Sequence, residues 1–306
     1  MDARLDAATL ARGLRAMQGA LRRHEQELNR LNVFPVRDHD TGTNLALTVQ
    51  SAVAALDGSH TMAEVTAAIT EGSLLGARGN SGVILAEALR GLCATWAPLD
   101  QVGPDDLVRG FRAAADHAAG AVLRPVDGTI VTVVRATAEA LEAAPGGDVA
   151  GLLDRAVDAA ARAVTATTGQ LPVLRDAGVV DAAGRGFELC LRALAGALRP
   201  APQPPAGERA GAAAGRAEPD PPAAGAADRH LTARGQVEVQ FLLQCPEPAV
   251  EELRRRLGRL GDSVAVVGGG GRYQVHLHTR EPAAAVEAAA AVGVTSRVRV
   301  TPLPRQ

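Results

Sequence analysis

The chain has 306 residues, 47% of them apolar, which is enough for one large domain or two smaller ones with hydrophobic cores and excludes disorder throughout. Its 32 basic and 34 acidic residues leave a formal net charge of -2, so there is no global positive field of the kind that holds nucleic acid or an anionic membrane. Four Phe, one Trp and one Tyr leave the core to Ala, Val and Leu and supply stacking-based base recognition poorly.

Charges interrupt the apolar positions of the N-terminal MDARLDAATLARGLRAM, and no later segment sustains the roughly 18 uncharged apolar residues of a membrane span. Neither a signal peptide nor stable membrane insertion is expected. Cys93, Cys190 and Cys245 are scattered and form no C-x-x-C pair, which fits a reducing, cytoplasmic setting. Cys93 and Cys190 fall beside apolar residues in helical patterns and are expected to be buried.

Apolar residues recur near every 3.6 positions in 5–31, 44–56, 62–75, 82–96, 105–123, 129–143, 149–167 and 183–198, which predicts about eight helices and an all-α first domain. The β-branched run Thr129–Val134 is the stretch least suited to a helix. Residues 200–227 contain no Val, Ile, Leu or aromatic residue and are rich in proline, so a flexible linker is expected there, between domains at 1–199 and 228–306. The second domain reads strand, helix, strand, glycine turn, strand, helix, strand: an α+β domain in the split βαβ order of ferredoxin-like folds.

Two segments of the first domain carry chemistry. In LNVFPVRDHDTGTNLALTVQ, residues 31–50, an acidic loop opens into a helix. Asp38 and Asp40 offer paired carboxylates of the kind Mg2+ takes together with waters and phosphate oxygens. The same pair also reads as solvated turn residues. The spacing of Gly42 and the lack of Glu at position 49 exclude an EF-hand loop. Thr41, Thr43 and Asn44 add polar groups at a helix start, where free amides favour phosphate. The second segment, GARGNSGV at 76–83, places Gly76, Gly79 and Gly82 around the donors of Asn80 and Ser81 without forming a Walker loop.

These two segments, followed in order by RPVDGTIVTVVR at 124–135 and LPVLRDAGVVDAAGRGF at 171–187, resemble the nucleotide-binding DhaL/DAK2 domain shared by dihydroxyacetone kinase and bacterial fatty acid kinase. The resemblance implies an antiparallel barrel of eight helices with ATP or ADP at one mouth. It implies Asp38 and Asp40 as ligands of the Mg2+ ions that bridge the phosphates, with Asn32 near a third metal-site position. It also implies Thr41, Gly42, Thr43, Asn44, Gly79, Asn80 and Ser81 around phosphate oxygens and Asp181 near the nucleoside. The family usually has glycine where this chain has His39, which leaves an outward side chain, an acceptor contact, or a metal or phosphate contact as readings. Arg78 and Arg185 read either as nucleotide-facing or as solvated helix-end residues.

His276 and His278 alternate on one strand and share a face, which reads as a hydrogen-bonded pair or as the start of a metal site. The second domain also resembles the fatty acid kinase middle domain, in which an H-x-H pair and a cysteine bind zinc. Aligning VEVQFLL puts Glu238 at the cysteine position, with Cys245 near the strand end. Zn2+ through Glu238, approach of Cys245 by another path, or a decayed site all remain open. The longer kinase carries a further C-terminal domain and this chain ends at Gln306, so the expectation is docking of an acyl-carrying partner through a separate chain or the second domain, or action on something else. Phosphoryl transfer to a partner-presented fatty acid is the activity implied, with a homodimer as a further expectation. A non-catalytic nucleotide-binding regulator or assembly module is the alternative.

Overall fold

The computed structural model describes residues 5–199 and 236–304. The expected linker at 200–227 and the first residues expected for the second domain lie outside the described residues.

The first domain is mostly helical. Its helices are α1 (Ala7–Leu31), α2 (Thr41–Ala54), α3 (Met62–Gly76), α4 (Gly79–Trp96), α5 (Pro104–Ala121), α6 (Ile130–Ala143), α7 (Val149–Gln170), the short α8 (Pro172–Ala177) and α9 (Ala182–Leu198). Asp6 starts α1 by accepting the Thr9 amide (2.9 Å), and Leu10, Leu14, Met17, Leu21 and Leu28 form its buried stripe. Each long helix packs on the next, α7 packs on α9, and α9 returns to α1 and α6, so the chain closes on itself around one core. Small residues permit this closeness: Gly91 leaves no room for a Cβ against the Ala113 backbone, and Gly110 seats the Trp96 ring. Trp96 is buried and donates to the Asp106 carbonyl (3.1 Å).

The β-branched run forms the start of α6, as its periodicity predicts, with Ile130, Val131, Val133 and Val134 buried, so packing offsets its weak propensity. Two features lie outside the predicted periodicities. Pro172 starts α8, and β1 (Leu5–Asp6) pairs antiparallel with β2 (Gln101–Val102), burying Leu5 and Val102. Cys93 and Cys190 are buried, as expected.

The second domain runs β3 (Val237–Gln244), α10 (Ala249–Leu260), β4 (Gly261–Gly269), β5 (Arg272–Thr279), α11 (Pro282–Ala290) and β6 (Val294–Pro302). The strand order β4-β5-β3-β6, antiparallel throughout, is that of the expected split unit. One sheet face, with Val239, Phe241, Leu243, Val275 and Leu277, forms a core with Leu253, Leu257, Ala285 and Ala289 of the two helices.

The opposite face carries Glu238, Gln240, Gln274, His276 and His278 and turns toward the helical domain. Gln240 Nε2 donates to the Ala77 carbonyl (3.2 Å), Arg272 pairs with Glu71 (2.9 Å), and the Leu123 amide donates to Val264 O (3.1 Å). Ala265 and Val267 of β4 join the helical core. A polar sheet face is thus buried directly beside the loops that carry the first domain's acidic and glycine-rich motifs. No helix among the described residues is long and apolar enough to cross a membrane.

Candidate functional site

The acidic loop is built by the last turns of α1. Asn32 Oδ1 accepts the amides of Asp40 (3.0 Å) and Thr41 (3.1 Å), while its Nδ2 donates to Val36 O (3.0 Å). Asn29 Oδ1 accepts the amides of Gly42 (2.7 Å) and Thr43 (3.2 Å). The Thr43 hydroxyl donates to Glu25 (2.6 Å), and a Cβ at Gly42 would strike the Glu25 carbonyl. The amides at this helix start, expected to be free for phosphate, are therefore occupied by two asparagine side chains. Asn32, placed near the metal by resemblance, spends its amide on holding the loop in shape.

What the loop leaves available is its carboxylates. Asp40 stands at the N-cap of α2 but makes no side-chain capping bond. Burial, the negative charge of Asp40 and a hydrogen bond to it push the Asp38 carboxyl up to about 7. The nearby charge of Glu238 pushes it in the same direction. Two crowded carboxylates of this kind suit a divalent ion.

His39 lies between them with φ of 59°. It is exposed, and its Nδ1 donates to Asn29 O (3.0 Å), so the imidazole lies on the outer side of the loop. The left-handed backbone explains why glycine suits this position. His39→Gly is expected to raise stability by about 0.5–1 kcal/mol, because relief of a left-handed non-glycine residue exceeds the entropy lost by glycine. Thermal unfolding checks this, and a lower melting temperature refutes it.

The glycine-rich turn lies against the same helix start. Gly79 has φ of 55°, and a side chain there would also strike the Asn44 amide. Thr48 Oγ1 accepts the Arg78 amide (3.2 Å), which ties the turn to α2. Among the described residues the first-turn amides of Gly79, Asn80 and Ser81 have no protein acceptor, and Asn80 Oδ1 is buried without a partner. Here, then, and not at α2, lie the open donors that phosphate requires.

A cavity of about 270 Å³ opens beside this turn, lined by Thr41, Asn80, Ser81 and Asp181 with apolar Ile84 and Ile130. Asp181 caps α9 by accepting the Gly184 amide (2.7 Å). Burial pushes its carboxyl up to about 6 in spite of backbone hydrogen bonds from Gly184 and Ile130. A buried acid facing a cavity is a common mark of a binding site. Arg185 is tied to Glu188 (2.6 Å) and Glu27 (3.3 Å), whereas half-buried Arg78 is held down by burial and by the like charges of Arg299 and Arg297 on β6.

The second-domain cluster forms as the strand alternation suggests. Glu238 faces His278 and Gln240 faces His276 across β3 and β5. Ligand atoms of Glu238, His276 and His278 lie within 4.8 Å of one another. Both nitrogens of His276 are buried without a partner, and burial pulls both imidazoles down to about 4, leaving them neutral as metal ligands must be. Cys245 does not belong to this group. Its amide donates to Gly271 O beyond β3, five residues from Gln240 and so about 16 Å along an extended chain. The charge of Asp40 acts on both Glu238 and His278, so the cluster faces the acidic loop.

Sequence reasoning missed Asn29, whose spacing of three residues from Asn32 on the last turns of α1 is a usable signal. It also missed β4, whose residues 261–264 line the cavity from the second domain. That contact has no local signature.

A helical domain with an acidic loop beside a glycine-rich turn, followed by a split βαβ domain, defines the class. The DAK2 domain matches residues 35–196, and the FakA-like middle domain of fatty acid kinase matches residues 235–306. The chain belongs to the DAK2-domain family. Among its relatives are an uncharacterised protein of Staphylococcus saprophyticus, 30% identical over 87% of this chain and 50% of its own length, and the protein YloV of Bacillus subtilis, 28% identical over 99% of this chain and 56% of its own. The chain thus spans about half the length of these curated relatives. A crystal structure of the dihydroxyacetone kinase from C. freundii in complex with AMP-PNP and Mg2+ is 21% identical with a TM-score of 0.47, covering 62% of this chain and 34% of that one.

Proposed function

We propose that the chain is an ATP- and Mg2+-dependent phosphotransferase of the dihydroxyacetone kinase and fatty acid kinase type. The observation that carries this is the meeting of the Asp38–Asp40 loop and the open amides of Gly79–Ser81 beside a cavity that holds a buried acid. In this reading the ring of long helices is the eight-helix antiparallel barrel, and the domains run 1–199 and 228–306.

Asp38 and Asp40 would hold Mg2+, scaffolded by Asn32 and Asn29. Bound there, Mg2+ supplies neutralisation of the charge that spreads over the transferring phosphoryl group. The amides of Gly79, Asn80 and Ser81 bind phosphate oxygens and set the line of transfer, with Thr41 beside them and Asp181 at the nucleoside. Gly42, Thr43 and Asn44 shape the turns that bring the two loops together. An acceptor carboxylate attacks the terminal phosphorus as the bond to the ADP oxygen breaks, giving an acyl phosphate and ADP. A fatty acid presented by an acyl-carrying partner is the acceptor that the middle-domain match favours.

Glu238, His276 and His278 would hold Zn2+ through two nitrogens and one oxygen, a donor set that suits this ion. About one equivalent of zinc per chain is expected by elemental analysis, falling to background in His276→Ala. A wild-type chain purified without metal refutes this assignment.

Calorimetry of the intact chain with ATP tests the main reading, since absence of Mg2+-dependent nucleotide binding overturns it. The strained His39 between the aspartates favours a nucleotide-binding regulator as the second reading. Phosphoryl transfer to a fatty acid bound by its carrier protein excludes that alternative.

A further inference from the structure

The cavity beside Asp181 is not closed by the helical domain alone. Residues of β4 and the end of α10 line its other side: Gly258, Gly261, Asp262, Ser263 and Val264. They are held there by backbone. Val122 bridges to Ala265, Leu123 N donates to Val264 O (3.1 Å), and Gly258 leaves room for the Leu123 side chain, which a Cβ at 258 would meet at 2.5 Å.

The strand is irregular at this point. Its register against β5 shifts between Asp262 and Ala265, and Ser263 takes φ of 51°, a left-handed conformation that a serine adopts only under constraint. Bulges of this kind re-aim a side chain near a site. The neighbouring Asp262 is engaged, since its carboxylate accepts from Gln236 Nε2 (2.7 Å) and lies 3.8 Å from His278 Nδ1. Half-buried Ser263 lines the cavity, and among the described residues its hydroxyl has no protein partner.

We infer that the second domain completes the nucleotide pocket, with the β4 bulge closing its nucleoside end and the Ser263 hydroxyl hydrogen-bonding the ribose or base. This rests on the nucleotide reading of the cavity and adds to it a site shared between two domains. Binding of the nucleoside then also draws the domains together, because the lining of the pocket and the Leu123–Val264 hydrogen bond belong to the same few residues.

The test compares MgATP with magnesium triphosphate, which carries the phosphates without a nucleoside. Ser263→Ala in the full chain is expected to weaken MgATP about 3- to 10-fold, the loss of one hydrogen bond, and to leave magnesium triphosphate unchanged. Ser263→Gly, which removes the hydroxyl while relieving the backbone, is expected to weaken MgATP similarly. Hydrogen exchange at the Leu123 amide is expected to slow with MgATP and not with magnesium triphosphate. Unchanged MgATP affinity in both variants, equal weakening of both ligands, or unaltered Leu123 exchange overturns the inference. Failure of the unmodified chain to bind MgATP overturns the nucleotide reading as well, so the two failures are distinct.

Discussion

Replacing Asp38 and Asp40 together by asparagine is expected to abolish the Mg2+ dependence of ATP binding and to slow phosphoryl transfer by about a thousandfold or more, several kcal/mol of lost charge stabilisation. In the proposed reading the two carboxylates hold the metal, while the amides of Asp40, Thr41, Gly42 and Thr43 are engaged by Asn29 and Asn32. Without a cation the carboxylate charges oppose each other, so in EDTA the double variant should melt no lower than the unmodified chain. Calorimetry with and without Mg2+, alongside thermal unfolding in EDTA, checks both halves. Retained Mg2+-dependent affinity refutes the metal assignment, and a lower melting temperature in EDTA refutes the electrostatic argument.

The second large effect is expected at Asp181. Its carboxyl is pushed from the ordinary 3.8 to about 6 by burial. Between those pH values the folded chain holds the proton more tightly than the unfolded chain, so stability falls as pH rises. The penalty is absent below about pH 4, grows up to about pH 6 and is complete above it, reaching on the order of 3 kcal/mol. Asparagine carries no charge to desolvate, and its oxygen can still accept the Gly184 amide.

Asp181→Asn should therefore be more stable than the unmodified chain by up to about 3 kcal/mol at pH 8 and nearly equal to it at pH 4. Denaturant unfolding at the two pH values measures this, and a difference independent of pH refutes it. The gain is expected to come with weaker nucleotide binding, the usual relation between a strained site and stability.

Much of the first domain was legible because its signals are local. Leu10, Leu14, Met17, Leu21 and Leu28 repeat with the helix and mark the buried face of α1, and Asp6 stands where a cap belongs. The alternation along β5 placed His276 and His278 on one face of the sheet, which pairing with β3 bears out. In α6 the apolar period outweighed the weak helix propensity of the valines, which are buried there.

Residue type and order alone therefore determined the helical domain, the split βαβ domain and the acidic and glycine-rich loops, since helix period, strand alternation and turn residues act within a few positions along the chain. Only the tertiary structure decided which donors are open. Asn29 and Asn32 engage the amides at the start of α2, while those of Gly79, Asn80 and Ser81 have no acceptor among the described residues. It also decided that Glu238, His276 and His278 face the Asp38–Asp40 loop, that Cys245 lies apart from them, and that Ser263 lines a cavity begun by Asp181. These are pairings between distant segments, set by how a polar sheet face docks on a helical surface, and no periodicity within either segment encodes them.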